Sequence, residues 1–322
     1  MRSRLILIVA ALGLVNACSS GASTDTTLDP GSTSTSEGII TTSTPVPTTT
    51  TVPTTTTTVP TTTTGPEGNW ADVPVVVYDG WGGMALGWWD GAEWIQASEE
   101  TILPISGGET YQVALFGSDV LIEGGAQHND GCGVLGYTWA GVDLTDTAAL
   151  GTVIDDGTGE DRGISGVAVS APWNIHPRPI SEGEESPDLP ADALGLLADL
   201  GFTTDSVSIV QVLETDIDGD GAAETLAVAE STELANQASG VYSLVFAVGG
   251  SWDDPRVVAE SVIPTTDVGF PASLRVSDAA ELTGDGVLEI VISAAVWEGT
   301  WVGVFHLTPD GFVPAIGAGC GS

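Results

Sequence analysis

The chain has 322 residues and a formal net charge of −38 at pH 7, because its 44 aspartates and glutamates are opposed by only 6 arginines and no lysine. Nucleic-acid binding requires cations that replace phosphate counterions, so this composition excludes it. A polybasic patch for anionic lipid is excluded for the same reason.

The first 17 residues have the features of a secretory signal peptide. Arg2 and Arg4 precede an apolar run, Leu5–Val15, that is too short to span a bilayer. The run ends in Val15-Asn-Ala-Cys18, which resembles the lipobox of bacterial lipoproteins. This resemblance implies that Cys18 carries lipid and anchors the protein to a membrane at the cell surface. The alternative is an ordinary signal peptide followed by a buried or disulfide-forming cysteine.

Residues 18–66 form a linker of threonine, serine, proline and glycine, with runs such as Thr61–Thr64. A segment with so few apolar residues cannot bury a core, so we expect a disordered stalk. About 255 residues remain for a folded head, enough for one large or two smaller domains.

The sequence of the head predicts an all-β fold. Its apolar segments are short, rich in valine and isoleucine, and separated by turn signals such as Asp90-Gly91, Gly249-Gly250 and Asp310-Gly311. One helix is predicted at Ala191–Leu200, as a hinge between an N-terminal part, 67–189, and a C-terminal part, 190–322. The predicted strands are Val73–Tyr78, Tyr111–Phe116, Val120–Glu123, Gly163–Val169, Val207–Val212, Thr225–Ala229, Val241–Val248, Arg256–Val262, Leu274–Val276, Ile290–Val296 and Val302–Leu307.

Two acidic loops stand out in the C-terminal part. Each has oxygen-bearing side chains at positions 1, 3, 5 and 9 and glycine at position 6, followed by a strand. Calcium takes six to eight oxygen ligands in flexible geometry, and such a loop supplies several of them. Asp-Gly pairs that make hairpin turns without any metal are the alternative. The candidate ligands are Asp216, Asp218, Asp220 and Glu224 in the first loop, and Glu281, Thr283, Asp285 and Glu289 in the second.

The two loops and their flanking strands repeat after about 65 residues. Over residues 207–307 the units resemble FG-GAP/VCBS repeats, which occur in integrin-like propellers and exported bacterial proteins. The resemblance implies calcium bound by alternating acids and a main-chain carbonyl, in a β-propeller-like or stacked β-repeat head. The second loop departs from the family pattern, since Thr283 replaces an acid and Glu281 is longer than aspartate.

Cys132 and Cys320 are the only other cysteines, and an even pair in an exported protein predicts a disulfide. Such a bridge would hold the two halves of the head together. Two free thiols are the alternative.

No catalytic centre is evident. No histidine lies near either loop, and we expect a solvated loop position for His128, a surface segment for His176 and a structural strand position for His306. Five tryptophans between Trp70 and Trp94 suggest either a sugar-stacking surface or ordinary core packing. A binding or adhesion module for a glycan or protein ligand is therefore favoured over an enzyme. The alternative is a surface hydrolase acting on cell-wall or extracellular polysaccharide.

Overall fold

Strands dominate the part of the chain that the computed structural model describes, and the all-β prediction is confirmed. Residues 60–322 form one compact unit. The predicted signal peptide, Cys18 and the predicted linker up to residue 65 lie outside the described residues. The described ranges are 66–78, 83–132, 137–155, 161–183, 207–231, 240–252, 254–263, 271–296 and 299–321, with single residues at 195, 198, 234 and 267.

Six antiparallel strands close into a barrel at the N-terminal end of the head. They pair in the order β1-β9-β4-β5-β6-β2, and β2 pairs back to β1 to complete the ring. A further strand, β3, extends from β2. The strands are β1 (Val75–Tyr78), β2 (Met84–Trp89), β3 (Trp94–Gln96), β4 (Thr110–Ala114), β5 (Leu121–Cys132), β6 (Tyr137–Leu144) and β9 (Val167–Ser170). A 3-10 helix (Thr147–Leu150) and a hairpin of β7 (Gly151–Asp155) and β8 (Asp161–Ser165) are inserted before β9.

The C-terminal part consists of two antiparallel meanders. The first meander orders its strands β10-β11-β12-β13-β14 and the second β15-β16-β17-β18. Each has a β-bulge in its first long strand, between Ile209 and Gln211 in one and between Val276 and Asp278 in the other. The strands are β10 (Ser181–Glu182), β11 (Val207–Thr215), β12 (Glu224–Ser231), β13 (Tyr242–Gly249), β14 (Arg256–Val262), β15 (Ser273–Ala280), β16 (Glu289–Val296), β17 (Gly299–Thr308) and β18 (Gly311–Gly321).

The second meander lies between the barrel and the first meander, with a core on each face. Side chains alternate along a strand, so Val75 and Val77 point into the barrel core while Val76 and Tyr78 join the core shared with the second meander. That shared core includes Leu282 and Val304. The opposite face of the second meander packs on the first through a third core. Both meanders are thereby fixed to the barrel through buried apolar contacts.

Several sequence predictions need correction or fall outside the described residues. His128 lies in strand β5, not in a loop, because β5 continues as far as Cys132 to pair with β6. Of the predicted helix Ala191–Leu200, only Gly195 and Ala198 are described, and both are helical. Cys132 and Cys320 lie in β5 and β18, but their side chains, and hence the predicted disulfide, lie outside what the structure describes.

Candidate metal centre

The first acidic loop closes the hairpin between β11 and β12. Its turn requires glycine, since Gly219 and Gly221 have φ of 76° and 92°, a region that side chains disfavour. The carboxylate of Asp216 accepts hydrogen bonds from both of these amides, at 2.8 Å from Gly219 N and 3.2 Å from Gly221 N. The backbone of the loop is thus folded around the first acid of the motif.

Three of the four predicted ligands of this loop come together. Asp216, Asp218 and Glu224 each offer a carboxylate oxygen within 4.8 Å of the other two, which is a spacing that could hold a metal ion. Asp220 lies outside this triad and accepts a hydrogen bond from Ala222 N at 2.8 Å. The indole nitrogen of Trp252 donates to Asp218 Oδ2 at 2.9 Å, a contact that the sequence motif does not predict.

Glu224 is fully buried, and only one of its oxygens is satisfied. Oε2 accepts a hydrogen bond from Ile217 N at 2.7 Å, whereas Oε1 has no hydrogen-bond partner among the described residues. Burial raises the pKa of Glu224 to about 7, with Asp218 and Asp216 adding to the shift. A buried, unpaired carboxylate oxygen is costly, and a cation at this position would relieve the cost. The triad therefore fits a metal ion.

The second loop repeats the backbone pattern between β15 and β16. Leu282 N donates to Glu289 Oε2 at 2.8 Å, as Ile217 N does to Glu224. Glu281 Oε1 accepts from Gly284 N at 2.7 Å, and Asp285 is exposed. Both glutamates are buried, and Thr283 Oγ1 lies 3.4 Å from each of them.

The expectation that no histidine lies near either loop is wrong. His306 Nδ1 donates to Glu289 Oε1 at 2.8 Å. Burial raises the pKa of Glu289 to about 7, and the hydrogen bond to Glu289 raises the pKa of His306. The contact arises from the register of the β16–β17 hairpin, which brings His306 opposite Glu289 although 17 residues separate them along the chain.

The two loops are neighbours in space. Leu288 N of the second loop donates to the carbonyl of Ile217 in the first at 2.9 Å. The guanidinium of Arg178 donates to the same carbonyl at 3.4 Å, and Trp173 Nε1 donates to the carbonyl of Glu281 at 2.9 Å. The segment that follows β9, which contains Trp173 and Arg178, is thus hydrogen-bonded to both loops.

A second polar cluster lies at the junction of the barrel and β15. His176 Nε2 is 2.9 Å from Asp278 Oδ2, and both side chains are almost fully buried. His176 also lines an open cavity of about 310 Å³, together with Ser118, Asp119 and Asn174. His176, which was predicted to lie in a surface segment, thus forms a buried pair with Asp278. The sequence did not indicate this pair, because the two residues are 102 positions apart.

The tryptophans whose side chains are described are all partly buried. Trp88 packs against the barrel core, and Trp94 and Trp173 pack against the core between barrel and second meander. Core packing accounts for these residues. Trp70 and Trp89, which belong to the same Trp-rich segment, are also partly buried. Trp81 lies outside the described residues.

Comparison with known proteins finds no matching family model, no matching curated protein and no matching solved structure. Among the described residues, no helix has the length and apolar character required to cross a membrane.

Proposed function

We propose that this chain is an exported, lipid-anchored binding or adhesion module whose β head is stabilised by calcium in the first acidic loop. The observation that carries the proposal is the buried Glu224 Oε1, which has no hydrogen-bond partner among the described residues and belongs to a triad with Asp216 and Asp218. Three carboxylates that converge without a cation would repel one another and leave that oxygen unsatisfied.

The chemistry of the triad favours calcium over softer metals. All three candidate ligands are carboxylate oxygens, which suit hard cations, whereas zinc and copper sites are dominated by histidine and cysteine. Bound there, the ion would join the end of β11 to the start of β12, which is a structural role. The equivalent positions of the two loops in two meanders support an architecture of stacked, propeller-like β repeats.

The leader and the linker support the location. A signal peptide over 1–17, lipid on Cys18 and a polar stalk over 18–66 would hold the head away from a membrane at the cell surface. The partners we propose are that membrane, through the lipid, and a glycan or protein ligand for the head. Nucleic acid is not among them, given the net charge of −38.

Calorimetric titration of the full chain with calcium tests the metal proposal. We expect saturable binding and a higher melting temperature, both lost in Asp218→Asn. Asp285→Asn is the matched control, because it removes the same charge from an exposed position in the second loop and should retain both effects. Equal melting temperatures with and without calcium in the unmodified chain would refute the proposal.

A surface hydrolase is the second candidate, favoured by the His176–Asp278 pair beside the 310 Å³ cavity. A buried carboxylate that orients an imidazole is a common arrangement for a general base. Turnover on a panel of cell-wall glycans, abolished by His176→Ala, would support this candidate. Uniform inactivity would leave the binding module as the function.

A further inference from the structure

The two loops differ at one cross-strand position. In the first meander, Glu224 pairs with Gly249, so the residue opposite it on β13 has no side chain. In the second meander the pairing of Ile290 with Phe305 places His306 opposite Glu289. The last glutamate of the loop thus faces a glycine in the first meander and the imidazole of His306 in the second.

The surroundings of the two glutamates differ accordingly. Beside Glu224, a Cβ added to Gly250 would collide with Oε1, so the backbone itself closes that side and supplies no donor. Beside Glu289, the equivalent oxygen receives His306 Nδ1 at 2.8 Å and lies 3.4 Å from Thr283 Oγ1. The oxygen that is unpaired in the first loop is therefore satisfied in the second.

The ligand sets differ as well. The first loop brings three carboxylates within 4.8 Å of one another, and among the described residues the second loop forms no comparable group. Thr283 stands where the first loop has Asp218, which removes one negative charge. The ring of Trp89 stacks on His306, with centroids 6.5 Å apart and an interplanar angle of 28°, and this contact holds the imidazole in place.

We infer that His306 occupies the place of a cation in the second loop, so that the chain binds one calcium ion and keeps a second, latent site closed. This inference rests on the proposed function for the first loop. The resemblance to FG-GAP/VCBS repeats, by contrast, implies a metal ion in both loops.

Tryptophans lie beside both loops, so the emission of terbium, a luminescent substitute for calcium, can be used to distinguish ions bound at the two sites. Trp252 donates to Asp218 in the first loop. The ring of Trp173 lies 3.5 Å from the position that a Cβ on Gly284 of the second loop would take. Energy transfer from a nearby indole makes bound terbium emit, so Trp252→Phe should remove most of the signal of the first site. At the second site Trp89 is also close, because it stacks on His306, so the double variant Trp89→Phe/Trp173→Phe should remove most of that signal.

Terbium and calcium titrations of the full chain form the test. We expect one equivalent in the unmodified chain, with emission lost in Trp252→Phe and retained in Trp173→Phe. His306→Ala should bind two equivalents and gain emission that depends on Trp89 and Trp173. His306→Gln keeps an N–H donor at this position and should stay at one equivalent.

The outcomes separate the inference from the proposed function. Two equivalents in the unmodified chain, with terbium emission from both loops, would overturn the inference and leave the proposed function intact. No binding in the unmodified chain would overturn the proposed function and, with it, the count of one ion; a site gained in His306→Ala would then still support His306 as the group that closes the second loop. One equivalent in both the unmodified chain and a folded His306→Ala would also overturn the inference. Even if His306→Ala fails to fold, the unmodified chain still tests the inference, because two equivalents there would overturn it.

Discussion

Glu224 shows how a single buried carboxylate can identify a candidate metal site. Its side chain is fully buried, one oxygen is held by Ile217 N, and the other has no hydrogen-bond partner in the part of the chain that the structure describes. Sequence spacing predicted Glu224 as a ligand but could not show that it is buried. Burial is what turns an ordinary acid of a turn into a candidate metal ligand.

The raised pKa of Glu224 predicts that protons and calcium compete for the first loop. The folded pKa is about 7 against an ordinary value of 4.5, so between these pH values the cation-free folded state binds more protons than the unfolded state. The stability of the cation-free protein should therefore fall as pH rises through this window. Because calcium requires the ionised carboxylate, the calcium-induced rise in melting temperature should be larger at pH 8 than at pH 5.

Calorimetry at the two pH values, with and without calcium, measures this difference. Glu224→Gln serves as the control, since an amide does not titrate and should show no calcium effect at either pH. A calcium shift of equal size at pH 5 and pH 8 would contradict the prediction.

At the scale of elements, a buried ion pair joins the two meanders. Arg275 of β15 pairs with Glu230 of β12 at 2.6 Å, and Glu230 also accepts hydrogen bonds from Ser243 and Ser273. Both charged side chains are largely buried, so each depends on the other for solvation. This network links strands that belong to different sheets.

Glu230→Ala should lower the free energy of unfolding by about 3 kcal/mol, because it leaves the guanidinium of Arg275 buried without its carboxylate. Urea denaturation followed by tryptophan fluorescence measures the loss. Glu230→Gln keeps an acceptor oxygen and should lose less. Equal stability of Glu230→Ala and the unmodified chain would show that the pair contributes nothing.

Local patterns predicted most meander strands, because their segments are rich in valine and isoleucine and bounded by turn signals. The prediction Arg256–Val262 coincides with β14, and Val302–Leu307 falls within β17. Strand β18 was not predicted, because glycines interrupt its apolar pattern. Those glycines have a structural reason: a Cβ on Gly317 would lie 2.8 Å from the ring of Trp301, and one on Gly319 would lie 2.8 Å from the carbonyl oxygen of Thr300 and 2.9 Å from the Cβ of Trp301.

Part of the candidate site could be predicted in the same way. The sequence spacing selected four candidate ligands within nine residues, and three of them, Asp216, Asp218 and Glu224, form the triad, whereas Asp220 lies outside it. His306 and Trp252 were missed because β17 and the end of β13 bring them to the loops from 17 and 34 residues away. Barrel closure was missed for the same reason, because the pairing of β1 with β9 joins residues far apart in sequence.

At the scale of the whole molecule, the net charge of −38 acts against compaction. Salt screens repulsion between exposed charges, with a Debye length of about 10 Å at 0.1 M. We therefore expect the melting temperature of calcium-free protein to rise as potassium chloride increases from low to physiological concentration. Calorimetry in chelator-treated buffer measures it, and a melting temperature that stays constant or falls would contradict the prediction.

Strand β1 is the first strand of the head, and it is paired on both sides, with β2 and with β9. An edge strand can be peeled away one hydrogen bond at a time, whereas a strand held between two neighbours must slide past both. Force applied through the N-terminal linker would act along β1 and load both ladders in shear. The barrel thus places a strand that is hydrogen-bonded on both sides at the point where the proposed tether would pull.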